Sequence, residues 1–379
     1  MKDQVVIAGA GIIGLALAFE LQERGERVKI LMPEDEAGTA TLTAAGMLAP
    51  VSEADVEHLH LVPLALDSLT RYPDFVARVQ AASGRPCGYR SEGTLWVALH
   101  RDHRAELEHL LTFMDHRGLS AERLDARSLR RLEPGLSPRA VGGYRIPADH
   151  QVDPRALRLA LLEALDRRGA ELESGCRAVG LELRAGALAG LRVAYGERRE
   201  VLPCTRVVLA NGAWLGHDFD GALPDCGVRP VRGQVLRLAG PVLLQHVIRT
   251  PDVYLVPRAD GRLIVGASSE ERGFDGRNSA GATHDLLRHA IAAVPEIAEL
   301  ELEEISVGFR PATRDHLPVI GATAIRGLFL CGGHFRNGVL LAPASAALLA
   351  DSIHLERTDA ALAPFSPRRF EIQACPNRN

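Results

Sequence analysis

At 379 residues, with 46% apolar side chains and a formal net charge of −4, the chain is long enough for two domains and has no basic excess that would argue for a nucleic-acid partner. Only Lys2 and Lys29 among its 44 basic residues are lysines, which leaves little room for a Schiff-base or phosphate-loop lysine. Cys87, Cys176, Cys204, Cys226, Cys331 and Cys375 are scattered without a C-x-x-C pair; this predicts a reduced, cytoplasmic setting, and no cluster has metal-ligand spacing.

The chain opens on the apolar run Val5 to Ala8, followed by Gly9-x-Gly11-x-x-Gly14 and a helical pattern with Leu15, Leu17, Ala18 and Leu21 on one side. Strand, glycines and helix in this order form the dinucleotide fingerprint. Gly9 permits the tight turn, Gly11 lets the backbone approach a pyrophosphate, and Gly14 lets helix and strand pack closely. The free N–H groups and positive dipole end of the helix suit the phosphates. The run could be mistaken for a signal-peptide core, but it carries the phosphate-loop glycines and follows Asp3. The fingerprint places an ADP moiety and leaves FAD and NAD both open.

The second strand, Val28 to Leu31, ends at Met32-Pro33 where such folds usually carry a ribose-binding acid. Glu34, or a backbone group, is the candidate replacement. Thr39 to Pro50 is dominated by small residues; it suits either a tightly packed turn or a surface against which a flat ring can lie. Leu61 to Ser83 reads as helix punctuated by Pro63 and Pro73, Gly93 to Ala98 as strand, Asp102 to His116 as a helix closed by Gly118, and Ser128 to Glu133 as a short helix. Asp153-Pro154 starts another helix with an acidic cap and Pro in the first turn. Ala178 to Leu183 and Leu188 to Tyr195 look like strands, and Arg206 to Leu209 is a buried strand running into Ala210-Asn211-Gly212-Ala213-Trp214.

From Val228 to Gly266 strand follows strand, with an Asp260-Gly261 hairpin signal, and His284 to Val294 is helical. Parallel α/β character returns with Ile305 to Arg310, Gly327 to Gly333 and the Ala/Leu-rich helix Leu340 to Ile353; Pro311 to Leu317 reads as loop and the tail from Pro364 as irregular. The expected architecture is α/β (α+β overall): a Rossmann-like nucleotide domain assembled from residues 1–85, 149–217 and 306–365, with a mainly antiparallel substrate domain from 86–148 and 218–305 inserted into it. No stretch is long and apolar enough to span a membrane.

Four side chains outside the fingerprint could carry chemistry: Tyr254 in the inserted sheet, Arg310 before Pro311, and His334 and Arg336 in the turn Gly332 to Gly338. An arginine in a partly buried pocket commonly pairs with a carboxylate; a surface arginine and a half-buried strand tyrosine are the plain alternatives. Asp315 and His316 lack a Ser or Cys nucleophile to complete a triad.

Gly9-x-Gly11-x-x-Gly14, Ala44 to Pro50, Val208 to Trp214, Tyr254 to Arg258, Gly308-Phe309-Arg310-Pro311-x-Thr313-x-Asp315 and Gly333-His334-Phe335-Arg336-Asn337-Gly338-Val339-Leu340-Leu341-Ala342-Pro343 together resemble the FAD-dependent D-amino-acid oxidase superfamily. Within it they resemble the glycine oxidase family of bacterial thiamine (thiazole) biosynthesis. The last motif is the most specific. The resemblance implies a non-covalent FAD, since no Cys lies between Phe309 and Gly321, where related sarcosine oxidases attach theirs.

For the cofactor the resemblance implies Gly9, Ala10, Gly11, Ile12, Ile13 and Gly14, then Glu34, then Thr43, Ala44, Ala45, Gly46, Met47 and Leu48. It adds Ala178 and Val179; Ala210, Asn211, Gly212 and Trp214; and Gly333, His334, Phe335, Arg336, Asn337, Gly338, Val339 and Leu340. It implies that Tyr254 and Arg310 grip a substrate carboxylate with Arg336 beside them, and that Ser268-Ser269 bear on substrate choice. The implied reaction is oxidative deamination of glycine, sarcosine or small D-amino acids by hydride transfer to flavin N5, with O2 as acceptor and no side-chain base. A homo-oligomer and a thiazole synthase partner are also implied. A quinone-linked D-amino-acid dehydrogenase and a non-catalytic FAD-binding subunit are the competing readings.

Overall fold

The computed structural model describes residues 4–53, 58–115, 119–217, 219, 223 and 225–373. A six-stranded sheet forms its first layer, in the order Val319–Ala322, Leu328–Gly332, Arg206–Leu209, Val5–Ala8, Val28–Met32, Glu171–Ser174. All neighbours are parallel except the edge strand Val319–Ala322. Val5–Ala8 lies centrally and is buried at every position, as an apolar strand covered on both faces should be.

The helices Ile12–Glu23, Leu61–Ser83, Pro154–Arg167 and Gly338–His354 cover one face with a continuous apolar core. A three-stranded antiparallel sheet (Arg177–Arg184, Ala187–Tyr195, Arg198–Pro203) covers the other.

The second sheet has eight strands in the order Glu301–Ala312, Arg229–Ala239, Leu263–Gly266, Tyr254–Pro257, Val247–Arg249, Thr94–Ala98, Gly142–Ile146, Glu122–Asp125. All pairs are antiparallel except Val247–Arg249 with Thr94–Ala98. Side chains alternate across it with period two. Leu236, Ile248, Leu255, Leu263 and Val265 pack with the helix Ala280–Ala293, whereas Val235, Val247, Val256 and Ile264 pack with Ala45 on the opposite face. That opposite face looks back toward the nucleotide domain.

Several expectations change. The expected domain boundary between 305 and 306 falls inside the continuous strand Glu301–Ala312. Its register with Arg229–Ala239 runs along eleven paired positions, so Arg310 lies in a strand as expected, but in the large antiparallel sheet, and Pro311 and Ala312 continue that strand where a loop was expected. Leu61–Ser83 is one helix despite Pro73, because Tyr72, Phe75, Val76 and Val79 bury its inner side in the main core. Gly118, expected to close the Arg101–Asp115 helix, lies outside the described residues, as does Cys375. The tail, expected to be irregular, is ordered through Gln373. It forms 3-10 turns at Ala360–Phe365 and Pro367–Gln373, buries Leu362 and Phe365, and pairs Arg369 with Asp315 at 2.8 Å.

The Gly338–His354 helix contains Pro343, which has no N–H for the Val339 carbonyl. The Tyr72 hydroxyl donates to that carbonyl at 2.7 Å, and the Ser68 hydroxyl donates to the next, Leu340, at 2.6 Å. Ser68 also accepts the Ala344 N–H at 3.1 Å. Two side chains from a neighbouring helix thus repair the first turns of the helix that begins at the site.

Among the described residues no helix is long and apolar enough to cross a membrane, and no group of three or more His, Cys, Asp or Glu is placed to hold a metal ion.

Candidate active site

A cavity of about 730 Å3 lies between the two sheets. It occupies the crevice outside the carboxyl ends of the parallel strands, where ligands of open α/β folds bind. Leu31, Pro33 to Ala37 and Gly175 to Ala178 line one end. Gly9 to Ile13, Thr39 to Thr41, Thr43 to Met47 and Ala210 to Trp214 contribute to its walls. Glu53, Arg249 to Tyr254, Gly266, Ala267, Gly308 to Pro311 and His334 to Arg336 surround the rest.

The fingerprint turn is shaped as its residues require. Gly9 has φ +116°, and a Cβ on it would come 2.8 Å from the Ala210 carbonyl carbon. Ile12 N–H donates to Thr41 Oγ1 at 2.9 Å, and no acid occupies the first turn of the helix, so its positive end is free for an anion. Asn211 Oδ1 is buried without a hydrogen-bond partner on the cavity wall. A buried acceptor of this kind calls for a donor from a bound group. The long cavity, the open helix end and this orphan acceptor fit a dinucleotide.

Of the residues expected at the cofactor, Gly9, Ala10, Gly11, Ile12, Ile13, Glu34, Thr43, Ala44, Ala45, Gly46, Met47, Ala178, Ala210, Asn211, Gly212, Trp214, His334, Phe335, Arg336, Gly338 and Val339 line the cavity. Gly14, Leu48, Val179, Gly333, Asn337 and Leu340 are not on its lining. Gly14 packs against the Gly9 carbonyl, and Leu48 and Leu340 point into the helical core. Val179 alternates away from the wall that Ala178 faces. Met32 does not reach the cavity and uses its carbonyl to accept the Cys176 N–H at 3.0 Å. Glu34 does reach it, while Glu36 is engaged in an ion pair with Arg158.

Tyr254 and Arg310 meet at the sheet end of the cavity. Arg310 Nη1 donates to the Ser268 carbonyl at 3.1 Å and to that of Arg232 at 3.4 Å. It pairs with no carboxylate among the described residues. Burial lowers its pKa, opposed by the neighbouring Tyr254, and burial raises that of Tyr254, opposed by Arg310. Both shifts mark a cation and a phenol held in a low-dielectric pocket. Ser269 lines the cavity, and Ser268 stands behind it with its hydroxyl accepting the Gln234 N–H at 2.9 Å.

His334 is 2% exposed, and its Nε2 lies 3.1 Å from Ser345 Oγ. Burial pushes its pKa down to about 3, which keeps the ring neutral at ordinary pH. Phe335 takes φ +49°, donates its N–H to the Pro311 carbonyl at 2.8 Å and stacks on His316. A non-glycine residue in that region is strained, and here it turns the chain into the Gly338–His354 helix. Arg336 is half exposed at the cavity mouth, 3.9 Å from Glu53.

The sequence reading missed Glu53, Arg249, Gly233 and Gly266, all on the lining. Arg249 is level with Tyr254 on the adjacent strand, a relation that only strand register reveals.

The family model for FAD dependent oxidoreductases (DAO) matches residues 4–352. The chain belongs to that family. It is 34% identical over 380 residues to a bifunctional protein ThiO/ThiG of Trichormus variabilis, covering 99% of this chain and 56% of the relative; the chain thus spans about half the length of that protein. It is also 34% identical to the glycine oxidase of Geobacillus kaustophilus, over 97% of both chains. The crystal structure of the glycine oxidase from Bacillus cereus superposes with a TM-score of 0.87 at 27% identity, covering 96% of this chain and 98% of that one. The likeness to glycine oxidases read from the motifs therefore extends along the whole DAO chain. FAD is the cofactor of the family, and the dinucleotide-shaped cavity agrees with it.

Proposed function

We propose that the protein oxidises glycine and comparably small amino acids with FAD and O2. The carrying observation is Arg310: a guanidinium held among carbonyls beside Tyr254, inside a cavity, with no carboxylate partner among the described residues. A desolvated cation of this kind is completed by a bound carboxylate, which its planar fork meets with two parallel bonds. The net reaction is glycine + O2 + H2O → glyoxylate + NH3 + H2O2.

FAD, held in this cavity, would supply a two-electron acceptor for the hydride from Cα that O2 can reoxidise. The cradle for it is Gly9 to Ile13, Thr43 to Met47 and Ala210 to Trp214. Arg310 and Tyr254 fix the carboxylate and thereby the attitude of Cα, which is orientation rather than acid–base work. His334, neutral and bonded to Ser345, takes no proton. Gly338 opens a helix whose positive end favours negative charge nearby. Arg336 closes the mouth. In this reading residues 1–85, 149–217 and 306–365 serve the cofactor and 86–148 and 218–305 the substrate, with the Glu301–Ala312 strand shared.

The likeness to ThiO/ThiG supports delivery of the imine to a thiazole synthase for thiamine synthesis; a cytoplasmic homo-oligomer is part of the same proposal. A peroxide assay in air with glycine, sarcosine and D-alanine tests the activity. Peroxide formed in step with glyoxylate supports it; electron delivery only to a quinone, with no peroxide, supports a dehydrogenase instead.

A further inference from the structure

Arg249 stands beside Tyr254 in the large sheet. The two residues are opposite one another in an antiparallel pair, and Trp96 is level with Arg249 on the next strand. Residues level on adjacent strands face the same way, about 5 Å apart. Arg249 therefore reaches the cavity wall one strand over from Tyr254, and both line it. Its guanidinium lies 5.1 Å from the Trp96 ring centroid, and its Nη1 donates to Glu53 Oε1 at 2.9 Å. The same Glu53 oxygen is 3.9 Å from Arg336 Nη2.

Glu53 is thus divided between two guanidiniums, and the bond to it is the one hydrogen bond the Arg249 side chain makes among the described residues. A guanidinium carries five donors, so most of those on Arg249 remain for a ligand. The other nearby carboxylate on the wall, Asp252, is held by His103 and His289 at 3.1 Å each. Three guanidiniums (Arg249, Arg310, Arg336) hence face two carboxylates, both already engaged. Asp149, fully buried behind the wall, is a further carboxylate whose charge Arg249 feels, but no hydrogen bond or ion pair joins the two. A single substrate carboxylate on Arg310 and Tyr254 leaves the donors of Arg249 unused.

Resting on the oxidase reading above, we propose that Arg249 is a second carboxylate receptor, so that the site takes small amines bearing a carboxylate on each arm. One carboxylate lies on Arg310 and Tyr254, and the other reaches Arg249 across one strand spacing. For the simplest such amine the balance is iminodiacetate + O2 + H2O → glycine + glyoxylate + H2O2, with the C–N bond to the oxidised arm broken by water after two electrons and a proton leave its Cα.

The test compares iminodiacetate with sarcosine, which differ by that one carboxylate, using FAD-loaded protein and kcat/KM followed by substrate consumption. Iminodiacetate is expected to be the better substrate. Arg249→Met should lower the iminodiacetate-to-sarcosine ratio by about tenfold or more, the worth of one charge-assisted pair. Arg249→Lys should hold the ratio within about threefold, and Glu53→Gln should raise it by about threefold or more, by freeing Arg249. A smaller fall in Arg249→Met, or a wild-type ratio below one, overturns the assignment, because a merely structural Arg249 moves both substrates together. If Arg249→Met does not retain flavin, Glu53→Gln decides, and an unchanged ratio there overturns the proposal. Oxidation of glycine and sarcosine with no such ratio shift sinks Arg249 alone; no oxidation of any of the three amines sinks the oxidase reading as well.

Discussion

Gly233 and Arg310 are matched as floor and occupant. A Cβ on Gly233 would come 2.6 Å from the Arg310 guanidinium carbon. Gly266, level with Tyr254 on the adjacent strand, does the same for the phenol ring. The space that Arg310 and Tyr254 occupy exists because two strands omit a side chain beneath them, and the proposed carboxylate site rests on it. Gly233→Ala should displace Arg310 and lower kcat/KM for glycine by about tenfold to a hundredfold, roughly 1.4–2.7 kcal/mol. Flavin content should not change, since the strand lies on the substrate side. Steady-state kinetics beside the flavin absorbance of the purified variant checks both halves.

Arg310→Ala removes the cation itself. The expected outcome is a KM for glycine raised by tens to hundreds-fold, on the order of 2–3 kcal/mol of charge-assisted bonding. A KM that stays where it was removes Arg310 from the carboxylate role.

The start of the Gly338–His354 helix depends on Tyr72. Tyr72→Phe leaves the Val339 carbonyl, already without a helical donor because of Pro343, unpaired in the core. The expected loss is about 1–3 kcal/mol of stability, read from urea unfolding of the two proteins. Replacing Tyr89, which is half-buried and bonds His150, with Phe is the comparison and should cost less.

Asp149 gives a pH signature. Its carboxylate is fully buried with Oδ1 accepting the Val51 N–H at 3.3 Å, and burial pushes its pKa up from 3.8 to about 6, opposed by Arg249 among others. The folded value exceeds the unfolded one, so the protonated form favours the fold. The contribution is fully present below pH 3.8 and is lost as pH rises through about 6. Asp149→Asn has no such loss. Its stability relative to wild type should improve by up to ~3 kcal/mol between pH about 4 and about 7. His334, whose depressed pKa acts in the opposite sense, is common to both proteins and cancels. A difference that does not vary with pH contradicts this account of Asp149.

Much of the fold was legible because its signals are local. Gly9, Gly11 and Gly14 between a strand and a helix, the Asp153 cap before Pro154, and the apolar run Leu328 to Gly332 each announce themselves within a few residues. Tyr254, Arg310 and Arg336 were found through motifs. What escaped was non-local. Arg249 lies level with Tyr254 only through strand register, Gly233 matters only because Arg310 folds over it, and Arg310 itself was placed at a strand end because Pro311 hid its continuation to Ala312. Glu53 sits in a turn with no periodicity to mark it. The extended tail was misread because Phe365 and Leu362, spaced by polar and small residues, find their burial only against the finished helical layer.

In the proposed reaction glycine reduces the bound cofactor directly. Purified, FAD-loaded protein mixed anaerobically with glycine should lose its oxidised-flavin absorbance, and admission of air should restore it with one equivalent of peroxide. The same mixing with Arg310→Ala should need far more glycine. Flavin that stays oxidised under anaerobic glycine, sarcosine and D-alanine alike would contradict the account.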